Sequence, residues 1–332
     1  MRKPSLVLLG LSTLLALSQS TWAWNDTGHK TIAAIAWDDL KPAVRTRVTD
    51  LIKKHPQYAD YLEDAKAPTP EAGARTSFLI TATWPDIVRN PVGKNRLYHH
   101  GPWHYVDFPF VIGKLPEGTP APEDPVSDWK PGTDPANALQ ALQKCVAELK
   151  DPAVPDDQKA VALAWVMHLV GDIQQPLHAV SMYSADYPTG DKGGNSQMVN
   201  AASSVMNLHS FWDGLLGRYT DEKIILEIAA KVHQDFPRDT LKDQIKPGDF
   251  KAWAMESFAE AKEVTYQNGK LASVPSDKLK ADKATPVPEL SKEYLDAAKA
   301  LARKKMALGG YRLADCLNAA LGADAATAPA PK

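Results

Sequence analysis

The sequence predicts an all-α fold, mainly helical with short extended segments or a small hairpin. Alanine and leucine dominate, alternating β-branched runs are scarce, and the apolar periodic segments run long, which together favour the 3.6-residue period over the two-residue one. Hydrophobic residues make up 44% of the 332 and charged ones 23%, the balance of a chain able to bury a sizeable core. A length of this order can hold two domains. One domain over residues 24–321 is the preferred reading, because the residues suited to chemistry are scattered from position 24 to position 213 and must converge.

The first 23 residues are of another kind. Met1-Arg2-Lys3 is basic, Leu6 to Leu17 is almost wholly apolar, and Thr21 and Ala23 supply the small residues that precede a cut before Trp24. This is the pattern of a secretory signal peptide. It is too short for a membrane span, which needs roughly twenty apolar residues, and no later stretch is long enough either. Cleavage would leave a soluble protein in a periplasm or outside the cell, beginning at Trp24. Loss of Arg2 and Lys3 makes the formal charge of −2 two units more negative. An acidic protein does not hold nucleic acid by a broad basic face, so any contact with phosphate has to be local, through metal ions or a few arginines. The two cysteines, Cys145 and Cys316, either pair in an oxidising compartment or remain as two buried thiols, and both readings stand.

Element by element, a first helix is expected over 27–54, with Ile32, Ile35, Leu40, Val44, Val48 and Leu51 at core-facing spacing. A second covers 72–88 and stops before Asn90-Pro91. Residues 97–111 read as extended, since the stretch is aromatic and interrupted by Pro102 and Pro109. The prolines between 115 and 135 mark a surface loop packed on the body. Helices resume over 135–150 and 157–174. The Gly-rich 187–195 reads as a turn-rich loop or hairpin. Further helices are expected over 207–219, 221–234, 247–267 and 290–321. A lysine-rich loop covers 269–288, and 322–332 is a flexible Ala/Pro tail.

The chain is organised around His168-Leu169-Val170-Gly171-Asp172-Ile173-Gln174-Gln175-Pro176-Leu177-His178. His168 and Asp172 are four apart and share one helical face, so they can hold a cation between them. Pro176 ends the regular helix, which sends His178 elsewhere. A lone His and Asp at this spacing are more often a surface or capping pair. Other units raise the odds: Trp24-Asn25-Asp26-Thr27-Gly28-His29, Thr83-Trp84-Pro85-Asp86, Trp103-His104-Tyr105-Val106-Asp107 and Asn207-Leu208-His209-Ser210-Phe211-Trp212-Asp213. His209 and Asp213 repeat the four-residue spacing. Imidazole with carboxylate, and no thiolate, suits zinc or another borderline divalent ion and leaves positions open to water. The set exceeds what one ion needs, so a cluster is the economical reading, and paired metals are a recurring device for attack on phosphorus. His55, His99, His100 and His233 are read as surface or structural, and Trp84, Trp103, Trp165 and Trp212 as walls.

Taken in order, these units closely resemble the S1/P1 nuclease family, which is zinc dependent and has the helical fold it shares with phospholipase C. The resemblance runs over about 190 residues, and Gly309-Gly310-Tyr311-Arg312-Leu313-Ala314 resembles the family's last helix. It implies three zinc ions per chain. One would be held by Asp86, His104, His168 and Asp172. A second would be held by the free amino group and carbonyl of Trp24, by His29, and by Asp172 as a bridge. A third would be held by His178, His209 and Asp213. An uncleaved Trp24 would have an amide where the ligand amine belongs. The resemblance further implies hydrolysis of single-stranded DNA or RNA, and of nucleotides, by in-line displacement to 5′-phosphate products, by a protein expected to be a monomer. Preference between DNA and RNA and an accompanying 3′-nucleotidase activity stay open. Asp107 would orient or deprotonate the nucleophile, Arg89 would offset charge on the phosphoryl oxygens, and Tyr105 would stack a base.

The bland readings are a turn residue for Asp107, a helix cap for Arg89 and a core aromatic for Tyr105. Asn25 stands where the family often has Gly, and Gly214 stands where some relatives have an amide side chain that contacts the base. Asn25-Asp26-Thr27 is formally a glycosylation sequon, expected to be unmodified beside the metal site. Competing functions are a zinc phospholipase C and a non-catalytic periplasmic zinc-binding protein.

Overall fold

Asn25 sets the start of the first helix, α1 (Asp26–Asp39), by accepting a hydrogen bond from the Gly28 amide at 3.2 Å. The coordinates are a computed structural model and describe residues 24–64 and 66–325. The expected signal peptide and residues 326–332 of the expected tail lie outside the described residues. The helix read over 27–54 is in fact two. After the extended Leu40, α2 (Pro42–Lys54) begins with proline in its first turn, where the missing N–H costs nothing. The helix read over 72–88 also divides, into α3 (Pro70–Thr81) and the one-turn α4 (Trp84–Ile87), with Pro85 in the first turn of α4. Of the segment read as extended, only β1 (Phe108–Val111) is a strand. Two 3₁₀ turns, Gly93–Leu97 and Gly101–His104, run into and through the part before it.

The proline-rich loop has no regular structure and lies on α5 (Ala138–Lys150). Asn137 and Gln140 side-chain amides both donate to the Val126 carbonyl, and Gln143 donates to that of Ser127. Next comes α6 (Asp156–Asp172), buried from Lys159 to Asp172 except at Val161. A helix apolar all round belongs in the interior, and α6 packs against α1, α2 and α5. Its C-terminal end therefore delivers His168 and Asp172 into the centre of the molecule.

Beyond the Pro176–Ala179 turn, β2 (Val180–Tyr183) runs parallel to β1, with Phe108 opposite Val180. This pairing sets the His104 segment beside His178. Residues 187–195 form the turn-rich loop rather than the hairpin, and the hairpin follows it: β3 (Gln197–Ala201) and β4 (Ser204–Asn207) are antiparallel. Ala202 and Ser203 turn the chain with φ of 50° and 67°, as a two-residue hairpin turn of the I′ kind requires. The helix expected over 207–219 is shorter, α7 (Leu208–Asp213), and ends at Gly214.

The remainder is α8 (Glu222–Asp235), α9 (Arg238–Ile245), α10 (Phe250–Glu260), β5 (Val274–Pro275), α11 (Ser276–Ala281) and α12 (Lys292–Ala325). Neither α9 nor α11 was expected, and α12 carries four residues that were read as tail. Arg312 of α12 is fully buried and donates to Gln174 Oε1 at 2.5 Å, the Gln244 carbonyl at 2.6 Å and Glu256 Oε2 at 2.9 Å. It thereby holds the turn that follows Asp172. The disulfide reading is corrected: Cys145 on α5 and Cys316 on α12 are buried free thiols, and burial pushes each up to about 12. No helix among the described residues is long and apolar enough to cross a membrane.

Candidate metal centre

Asp172, fully buried at the end of α6, divides its two oxygens between neighbours. Oδ2 lies 3.1 Å from His104 Nδ1 and 3.2 Å from His168 Nε2. Oδ1 lies 3.4 Å from His29 Nε2 and 3.9 Å from His178 Nδ1. Asp86, on α4, closes the first group, its Oδ1 standing 3.8 Å from His168 Nε2 and 4.0 Å from His104 Nδ1. On the far side, His209 and Asp213 of α7 meet His178, with His209 Nε2 3.2 Å from His178 Nε2 and 3.7 Å from Asp213 Oδ2. Three sets of donor atoms thus gather: His29 with His168 and Asp172, Asp86 with His104 and His168, and His178 with His209 and Asp213. Every ligand named from the sequence is buried here.

Backbone carbonyls decide which imidazole nitrogen faces inward. His168 Nδ1 bonds the Ala82 carbonyl at 2.8 Å, His178 Nδ1 that of His104 at 2.5 Å, and His209 Nδ1 that of Gly193 at 2.6 Å. A ring that donates its Nδ1–H in this way presents a bare lone pair at Nε2. The lone pairs of His178 and His209 then confront each other. His168 Nε2 also lies 3.0 Å from His104 Nδ1, the nitrogen that contacts Asp172 Oδ2. Facing acceptors repel unless a cation or proton lies between them. His29 Nε2, Asp86 Oδ2 and Asp172 Oδ1 are buried with no hydrogen bond, at the usual penalty for an unsatisfied polar atom. The donor set fits divalent metal ions, which would take up these lone pairs.

Protonation states differ around the cluster: burial opposes the charge of His168, yet Asp172 and Asp86 prevail and raise it, whereas three other rings are lowered. Burial lowers His104 to about 4 and His209 to about 3, and it lowers His178 as well, so these rings are neutral and ready to ligate. Burial opposes the charge of Asp172, yet His168 and the hydrogen bond from His104 prevail and hold its carboxyl well below the usual range. Among the described residues the Asp213 carboxylate accepts from the Gln175 amide alone, and burial pushes it well above that range.

Several residues that shape the site gave no signal as isolated letters. A Cβ on Gly171 would lie 2.8 Å from His29 Nδ1, so the glycine between His168 and Asp172 is what admits His29. Gly171→Ala should displace that ring, destabilise the fold by about 1–3 kcal/mol and lower metal occupancy, readable in one thermal melt with and without added zinc. Gly193, at φ 59°, brings its carbonyl to His209, and a Cβ there would strike the Leu177 carbonyl at 2.3 Å. Gln175 donates to Asp213 Oδ1 at 2.9 Å while its own oxygen accepts from the Leu177 amide. Asn25 donates to the Gly217 carbonyl at 2.7 Å, and its backbone amide reaches the Asp213 carbonyl. Its side chain is buried and fully engaged, which leaves no room for a glycan. Trp24 is completely buried against Gly28, where a Cβ would come within 2.7 Å of Trp24 Cβ.

Around the cluster, Arg89 lies 3.3 Å from Asp86 Oδ1, and its charge is felt at His104, His178 and His209. Burial, reinforced by Asp191, raises the Asp107 carboxyl to about 7. Asp191 is itself held by Tyr266, Gln197 and two backbone amides. Tyr105 is 39% exposed, which removes the core reading for it. Among the tryptophans, Trp165 does form a wall, edge-on to His104 at 5.3 Å. Trp212 instead ties α7 to Tyr294 of α12. His55 packs on Trp84 and His100 stacks on Trp103, so both are structural.

Residues 24–322 match the family model for S1/P1 nuclease. The chain is 26% identical to nuclease S1 of Aspergillus oryzae, over 95% of this chain and 97% of that one. It is 24% identical to endonuclease 4 of Arabidopsis thaliana, over 92% and 91%, and 22% identical to nuclease P1 of Penicillium citrinum, over 91% and 100%. A family match across nearly all the described residues, on a helical frame whose centre gathers three His/Asp clusters, makes this chain a member of the S1/P1 nuclease family of hydrolytic endonucleases.

Proposed function

We propose that the mature protein starts at Trp24, carries three zinc ions in one domain over residues 24–321, and cleaves single-stranded DNA or RNA to 5′-phosphate ends outside the cytoplasm. The observation that carries this reading is Asp172, whose two oxygens face different sets of imidazoles. Asp86, His104, His168 and Asp172 would hold one ion. The Trp24 amine and carbonyl, with His29 and Asp172, would hold the second, and His178, His209 and Asp213 the third. Zinc supplies Lewis-acid stabilisation of charge on phosphoryl oxygens and lowers the pKa of water.

The protein's own residues do the rest. Asp107, raised to about 7, takes a proton near neutrality, where a general base is most useful. Arg89, fixed by Asp86, presents a planar fork of donors to phosphoryl oxygens. Tyr105, exposed beside Asp107 and Arg89, offers a face on which an unpaired base stacks. Its preference for single strands follows, because bases in a duplex are already stacked. A phospholipase reading has no such use for Tyr105, and the family match disfavours it.

Asp107→Asn should lower kcat by about a hundredfold to ten-thousandfold, and Arg89→Ala by about a hundredfold to a thousandfold. Metal content should be unchanged in both. Steady-state cleavage of a single-stranded oligonucleotide alongside metal analysis checks this. Full activity in both variants would remove these residues from the mechanism.

A further inference from the structure

Among the described residues, the buried carboxylates are Asp86, Asp172, Asp213 and Asp191. The first three belong to the metal clusters. Asp191 does not, and it lies in the loop between β2 and β3 with four neutral donors around it. Its Oδ1 accepts from the Met182 amide at 2.8 Å. Its Oδ2 accepts from the Gly194 amide at 2.9 Å, the Gln197 side-chain amide at 2.9 Å and the Tyr266 hydroxyl at 2.7 Å. A buried charge is costly unless its lone pairs are filled. Here the donors come from β2, the loop itself, β3 and the turn beyond α10, so one carboxylate joins all four.

The loop that it closes runs against the usual handedness. Lys192, Gly193 and Gly194 have φ of 58°, 59° and 78° in succession, and a lysine keeps such a backbone only where its surroundings impose it. The bond from the Gly194 amide to the carboxylate spans this run, and the Ser196 amide donates to the Asp191 carbonyl at 3.0 Å. There is no slack on either side. A Cβ on Gly193 would meet the Leu177 carbonyl at 2.3 Å, and one on Gly194 would come within 3.2 Å of both Leu177 Cδ1 and Leu208 Cβ. The loop is thus wedged between the residue before His178 and the residue before His209. From that position the Gly193 carbonyl accepts from His209 Nδ1 at 2.6 Å.

We propose that Asp191 is a positioning residue for the third zinc: it locks the loop whose Gly193 carbonyl fixes the His209 tautomer, and so sets how tightly that ion is held. The inference rests on the three-zinc reading above. A group bonded behind a ligating imidazole fixes the ring and its tautomer, and its loss weakens metal binding by about tenfold to a hundredfold. Asp191 acts one step further back, through the backbone of its own loop. A neutral amide cannot take its place. In Asp191→Asn the NH2 group would face either the Met182 amide or the Gly194 and Gln197 amides, donor against donor.

The test uses the mature zinc-loaded protein and reads zinc per chain by elemental analysis at a series of buffered free-zinc concentrations. Asp191→Asn should release one ion at about tenfold to a hundredfold higher free zinc than the parent does. Tyr266→Phe removes a single donor with little change of shape, and should release the same ion at about threefold to tenfold higher free zinc. Both variants should hold the other two ions as the parent does, and excess zinc should restore most of the lost kcat, since every ligand is intact. With nitrogen-labelled histidine, the NMR signals of one imidazole should move, those missing from His209→Ala. Combined with His178→Ala, Asp191→Asn should release no ion beyond the one that His178→Ala already releases. Parental affinity in Asp191→Asn, or in Tyr266→Phe where Asp191→Asn does not fold, overturns the proposal. Equal weakening of all three ions, or loss of a further ion in the combined variant, overturns it too. A parent without a third zinc removes the site and the proposal with it. A parent that holds three zincs and cleaves no phosphodiester overturns the nuclease reading and leaves the role of Asp191 standing.

Discussion

Asp172→Ala should lose about two metal ions per chain in a single substitution, whereas His178→Ala should lose one. The difference follows from geometry. Asp172 Oδ2 lies 3.1 and 3.2 Å from His104 and His168, and Oδ1 lies 3.4 Å from His29. His178 instead looks across at His209. Removing the carboxylate also leaves four buried imidazoles without the charge that balances bound cations. Cleavage should fall by at least about a thousandfold, the loss expected when several kcal/mol of electrostatic stabilisation disappear. Elemental analysis of the purified variants separates the outcomes. Equal losses from both would mean that Asp172 serves one site only.

A retained residue ahead of Trp24 should abolish most activity without unfolding the protein. Trp24 is fully buried, and the next amide bonds the Asp213 carbonyl, so a terminus at Trp24 would be fixed within the site. As the first residue it has a free amine, a good ligand. Behind another residue, that nitrogen is an amide and a poor one. A chain beginning Ala-Trp24 should carry one zinc fewer than a chain beginning at Trp24, melt within a few degrees of it, and cleave single strands at least about a hundredfold more slowly. Equal zinc content in the two would remove the amine from the ligand set. The coupling would make secretion and activation one event, since a precursor with its leader attached could not load the second ion.

How much of this was legible in the sequence depends on the range of the interaction. His168 and Asp172, and His209 and Asp213, were visible because four-residue spacing places both side chains on one helical face, and they do sit on α6 and α7. The burial of α6 was readable from its continuous apolar run. The break at Leu40 was missed although Pro42 announced it, because an apolar period continued on both sides. Pro85 in the same way split α4 from α3. What could not be read locally is contact between distant segments. Gly171 matters through His29, 142 positions away, and Gly193 through His209. Gln175 matters through Asp213. Each is an ordinary turn or helix residue until the fold supplies its neighbour. Cys145 and Cys316 show the same limit, since nothing in their spacing reveals that they stay buried and unpaired.

The most direct test of the central claim is metal analysis of the purified protein beginning at Trp24, joined to single-strand cleavage before chelation, after it and after zinc is restored. Three zincs per chain are expected, with cleavage lost on chelation and recovered with zinc. A metal-free protein that still cleaves, or a chain holding three zincs that cleaves no phosphodiester, would contradict the account.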